Sequence, residues 1–209
     1  MMKTKSLITL ALSSIIAAPA IADHTVIDGL DFGPLAKLVG TWQSVDAGGV
    51  DISPGQEGSD VGKGGPAVTP FYETMTFEVA ADAVNASDQT LVALYYKQEV
   101  FRKSDDSKFH DQRGYFIYDA ENQIVYNSFC VPRTTCVTAE GAAGDTMTLV
   151  ASGRGIAESN YMTENASTTS FTMNIQFDEE TLTYTQSTGL DIYGNQFAHT
   201  DSSTLKKVK

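Results

Sequence analysis

The chain has 209 residues, with 26 acidic side chains against 14 basic ones and a net charge of −12. A surface that acidic repels phosphate backbones and anionic lipid headgroups, which argues against nucleic acid as a partner. Two cysteines and three scattered histidines also argue against a closed structural zinc site, which takes four such ligands.

Lys3 and Lys5 precede a short apolar run from Leu7 to Ala18, and Ala20-Ile21-Ala22 supplies a small-x-small pattern before Asp23. This predicts a secretory signal peptide over 1–22, cleaved near Ala22. The run is too short to span a bilayer. The expectation is an exported protein, periplasmic or secreted, with no stable membrane insertion. Residues 23–209 then carry a net charge of −14 and suit one domain with a sizeable core.

Residues 23–33 read as an extended arm, and the domain proper is placed at 34–209. Pro34 to Val39 predicts a short helix, with proline in its first turn. Gly40-Thr41-Trp42 opens a strand running to about Val45, and Trp42 reads as a core plug at one end. The stretch 47–66 has seven glycines and reads as a surface insertion. Lys63 is followed by Gly64, not by Ser or Thr, so the phosphate-loop pattern fails. The Asp spacing there does not fit a calcium loop either.

From Ala67 onward the pattern is strand after strand. Phe71, Tyr72, Met75 and Phe77 mark one; 90–101 and 109–118 follow, the latter after a polar turn at 104–107. Residues 123–131 and 134–139 pair around a Pro132-Arg133 turn. Cys130 and Cys136 flank that turn and could form a disulfide if their Cα atoms lie in range. Their spacing is not that of a C-x-x-C redox pair. Another strand covers 145–152. Phe171, Met173, Ile175 and Phe177 alternate with polar residues at a period of two. Leu182, Tyr184 and Gln186 continue the pattern, and a last strand starts near Ala198. About ten short strands and almost no helix predict an all-β fold, an antiparallel up-and-down barrel. A barrel of that strand number holds a small ligand. Phe71, Tyr95, Tyr115 and Phe171 are candidates for core or cavity wall.

No G-x-S-x-G elbow and no H-E-x-x-H is present, so hydrolase chemistry has no motif to stand on. What remains is a cavity protein whose histidines stand out. His24 sits near the end of the arm and is given no role. His110 follows a turn, and His199 lies in the final strand.

Several segments together resemble the nitrobindin family, the heme-binding β-barrels related in shape to fatty-acid-binding proteins. The segments are P-L-A-K-L-V-G-T-W (34–42), F-Y-E-T-M-T-F (71–77), Y-Y-K-Q (95–98), F-H-D-Q-R-G-Y-F (109–116) and F-A-H-T-D-S-S-T-L-K-K (197–207). The resemblance implies heme b held non-covalently, with His199 as proximal iron ligand and His110 on the distal side. It also implies nitric oxide binding and peroxynitrite isomerisation, the latter as a possible enzymatic activity. The family's glycines close behind the tryptophan are replaced here by Gln43-Ser44-Val45-Asp46, and the cysteines are foreign to the pattern. Two alternatives stand beside heme: a metal-free carrier or sensor of a small apolar, lipid-like ligand, and a barrel filled by its own side chains.

Overall fold

The computed structural model describes residues 24–208. The predicted signal peptide lies outside the described residues. A small hairpin, β1 (Val26–Ile27) and β2 (Leu30–Asp31), leads into a 3-10 helix, Gly33–Leu38. The remaining strands are β3 (Gly40–Ser44), β4 (Gly49–Pro54), β5 (Pro66–Val79), β6 (Ala83–Asn85), β7 (Gln89–Arg102), β8 (Lys108–Asp119), β9 (Ile124–Val131), β10 (Thr135–Ala142), β11 (Thr146–Ser152), β12 (Ile156–Glu158), β13 (Ala166–Phe177), β14 (Thr181–Ile192) and β15 (Asn195–Val208). One short helix, α1 (Asn160–Asn165), precedes β13 and is capped by the Ser159 side chain, which accepts from the Met162 amide. No helix among the described residues is long and apolar enough to cross a membrane.

The long strands form a closed antiparallel barrel with ten positions. β3 and β4 share one position: both lie between β15 and β5. β5 then pairs with β7, and the meander runs back round to β15. Closure leaves the main ring without an unpaired edge.

Two expectations from the sequence are corrected here. The glycine-rich stretch 47–66 is not all surface insertion, because Gly49–Pro54 is a barrel strand. Gly49 is needed there because a Cβ would fall 2.3 Å from the Phe71 ring. Its neighbours give the segment the pattern of a loop, but only 47–48 and 55–65 lie outside the strands. Secondly, Tyr95 and Tyr115 do not line the interior. They face outward as an edge-to-face pair, 6.0 Å between ring centres. The even-numbered positions of β7 are the buried ones, and strand periodicity alone leaves that parity open.

The interior is layered along the barrel axis. At one end Phe32, Leu35, Leu38, Trp42, Phe77, Leu94, Phe116, Leu182 and Leu205 are fully or almost fully buried. The 3-10 helix covers this end. Gly33, at φ +51°, lies so close to Tyr118 that a Cβ would come within 2.5 Å of its ring. Trp42 donates its indole N–H to the Leu38 carbonyl at 2.8 Å, and Lys207 lies over its ring. Further along β14 and β15, inward positions turn polar. Leu205 gives way to Ser203, then Asp201 and His199; Leu182 gives way to Tyr184, then Gln186 and Thr188.

Candidate functional site

The open end of the barrel holds a cavity walled by Phe129, Val131, Val137, Phe171 and Leu190 and carrying polar groups from five strands, His110, Gln112, Thr135, Thr168, Gln186, Thr188, His199 and Asp201, with Arg133 at the β9–β10 turn. The structure therefore brings His110 and His199, far apart in sequence, to one cavity. His24 is not among its lining residues. The cavity volume is about 50 Å³, room for a few waters but not for a macrocycle. A larger guest requires the mouth to open.

His199 sits on β15 and shares its inward face with Asp201. Asp51 of β4 lies directly opposite Asp201 in register. Two like charges so placed repel, and His199 answers both. Its Nε2 is 2.6 Å from Asp51 Oδ1 and 3.6 Å from Asp201 Oδ1. Burial alone would pull the imidazolium down, but the two carboxylates outweigh it and lift His199 to about 9. His199 is therefore a cation at neutral pH, held by a partly buried acidic pair. Burial raises Asp51, while Asp201 falls below the ordinary value because the contact with His199 outweighs its own burial. Gln186, opposite Asp201 on β14, donates to Asp201 Oδ2 at 3.1 Å.

Asp51 is the residue that sequence reading missed. It lies inside the glycine-rich stretch taken for a loop. The signal that could have found it is the alternation of Val50, Asp51 and Ile52 around one inward carboxylate.

His110 is the opposite case. Burial, together with the charge of nearby Arg133, holds it below the usual imidazole value, so it is neutral at neutral pH. A buried hydrogen-bond chain fixes which nitrogen carries its proton. Glu73 accepts from Gln98 Nε2 at 2.6 Å and from the Tyr184 hydroxyl at 3.0 Å. Gln98 Oε1 accepts from the Tyr96 hydroxyl, which accepts from Gln112 Nε2, both at 2.8 Å. Gln112 Oε1 is left to accept from His110 Nε2 at 3.2 Å. With Glu73 ionised and accepting at the far end, this chain favours the hydrogen of His110 on Nε2 and Nδ1 as a lone pair. Burial lifts Glu73 to about 7 despite the donors around it.

Cys130 and Cys136 face each other across β9 and β10 and form a disulfide, with Cα atoms 4.0 Å apart. The bridge closes the hairpin whose tip, 132–134, stands at the cavity mouth.

The model of the THAP4-like, heme-binding beta-barrel domain matches residues 31–207, most of the chain. The chain belongs to that family. A crystal structure of Rv2717c from M. tuberculosis is similar at a TM-score of 0.58 and 15% identity, covering 84% of this chain and 95% of that one. At that identity the likeness concerns the fold alone. No curated protein matches.

The residues of the cavity fit a metalloporphyrin in kind. Apolar and aromatic side chains wall it, and two imidazoles face it, a residue type that ligates iron well. A partner carboxylate on a ligating histidine is a common arrangement, and Asp51 and Asp201 supply two. In the described state both carboxylates engage Nε2 of His199, so they can serve as such partners only where Nδ1 is the ligating nitrogen.

Proposed function

We propose that this chain is an exported barrel that binds heme b non-covalently at the open end, through His199, with His110 facing the same cavity. The observation that carries the reading is the convergence of these two histidines on one apolar cavity in a heme-binding barrel family member. Iron held by a single imidazole would offer an open position to a small molecule, the chemistry required for nitric oxide binding and for peroxynitrite isomerisation. The chain's own part is to exclude water with Phe129, Phe171 and Leu190, to hold His199 between two carboxylates, and to keep His110 neutral. Export is supported by the Lys-then-apolar leader pattern and by a disulfide, which persists in oxidising compartments.

A second reading has its own support. The narrow cavity and the engagement of His199 by Asp51 favour a metal-free carrier of a small apolar ligand. A titration of the mature chain with ferric heme, read at the Soret band beside His199→Ala, separates the two. Saturable binding with a histidine-ligated spectrum, lost in the variant, supports heme. No saturable spectrum excludes it.

A further inference from the structure

We infer that the disulfide-closed β9–β10 hairpin builds a carboxylate-binding subsite at the cavity mouth, with the Arg133 guanidinium and the Thr135 hydroxyl as its donors. The inference deepens the reading above by naming the ligand class: an amphipathic molecule with an apolar body and an acid group at one end.

Two independent observations point there. Arg133 lines both the cavity and the adjoining outer hollow, and none of the ion pairs among the described residues involves it. It is close enough to the interior for its charge to act on His110. The neighbouring cation, Lys108, is already committed to Glu99 and Asp111. Arg133 is therefore the uncommitted positive charge at the mouth of an acidic protein. Secondly, Thr135 lines the same cavity two residues on, is 4% exposed, and its Oγ1 has no hydrogen-bond partner. A buried hydroxyl without a partner is costly, and a ligand oxygen would satisfy it.

The hairpin holds both donors in place. The disulfide ties its two strands just below the tip. Thr134, at φ 65°, makes the turn, and its hydroxyl donates to Ser159 Oγ at 2.8 Å while its carbonyl accepts from the Ser159 amide. A guanidinium on a fixed turn offers the fork of N–H groups that matches a carboxylate in a bidentate way. The other polar end of the cavity is acidic, with Asp51 and Asp201. An anionic group is repelled there and attracted at Arg133, so the ligand has one orientation: acid at the hairpin, apolar body against the contacting rings of Phe129 and Phe171.

The test compares acids with their neutral analogues. The mature protein is titrated with ferric heme and with its dimethyl ester, and with palmitic acid and hexadecanol, using wild type, Arg133→Ala and Thr135→Val. In wild type the free acid should bind about tenfold tighter than its neutral analogue. Arg133→Ala should erase that preference and leave the neutral analogue unchanged. Thr135→Val, nearly equal in volume, should reduce the preference by a smaller factor. Raising salt should weaken the acid and spare the ester, which tests the subsite in wild type without any variant. Heme bound with no preference for acid over ester overturns the subsite and leaves the heme reading standing. Palmitic acid preferred over hexadecanol, with no heme bound, keeps the subsite and removes heme. Binding of none of the four overturns both.

Discussion

The two ends of this barrel are built from the same strands and behave as opposites. At the closed end the inward positions are Trp42, Phe77, Leu94, Phe116 and Leu205, packed under a 3-10 helix with hardly any surface exposed. At the open end the same strands present Gln98, Gln112, Gln186, Asp201 and His199. The closed end supplies stability through apolar burial. The open end spends some of it, holding carboxylates, an imidazolium and unpartnered hydroxyl and amide oxygens where water is scarce. The candidate site lies where packing has been given up, and a closed barrel lets one end be sacrificed while the other holds the fold.

That division can be broken most sharply at Trp42. Trp42→Ala removes the largest fully buried side chain and its bond to Leu38, and should cost about 4 kcal/mol in urea unfolding. A loss below about 1 kcal/mol would mean that the closed end does not carry the stability assigned to it.

Glu73 marks the border between the ends and gives the next largest effect. Its folded value of about 7 lies above the ordinary 4.5, so the native state holds more protons than the unfolded one between those values. Stability from this group is present below pH 4.5, is lost as pH rises through about 7, and is flat beyond. The loss should amount to about 3 kcal/mol. In Glu73→Gln the urea midpoint should lose this component of its slope between pH 5 and 7. An unchanged slope would show that Glu73 is not the buried group that titrates.

Opening the disulfide touches the mouth and not the plug. Cys130→Ser with Cys136→Ser should lower stability by about 2 kcal/mol, the value for so short a loop, without changing the near-ultraviolet signal of Trp42. A changed tryptophan signal would mean that the two ends are coupled.

The smallest effect is expected at the carboxylate pair. Asp51→Asn leaves Asp201 to hold His199, so the free energy of urea unfolding should fall by only about 1 kcal/mol. A loss several times larger would mean that Asp201, at 3.6 Å, does not take over.

Much of the closed end was legible from the chain. Period-two alternation in Phe171–Phe177, the proline before the short helix and the G-T-W opening all report local preferences that packing reinforces. The resemblance implied a heme site with His110 and His199; both line one cavity, and their part in holding heme is what reconstitution tests. Asp51 was hidden because Gly48 and Gly49 are there for a close approach to Phe71 and read locally as a loop. Glu73 was visible as the acid of F-Y-E, but its partners Gln98 and Tyr184 lie 25 and 111 residues away, and only closure of the barrel brings them to it. The parity of Tyr95 and Tyr115 was open for the same reason, since a strand's alternation does not say which face turns inward.

The central claim is that the open end receives heme through His199. The most direct measurement is reconstitution of the mature chain with ferric heme, gel filtration, and the heme-to-protein ratio with the Soret spectrum for wild type, His199→Ala and His110→Ala. The account predicts one heme per chain in wild type, loss of the histidine-ligated spectrum in His199→Ala, and its retention with altered small-molecule binding in His110→Ala. A wild-type chain that emerges without heme, or a spectrum unchanged by His199→Ala, would contradict it.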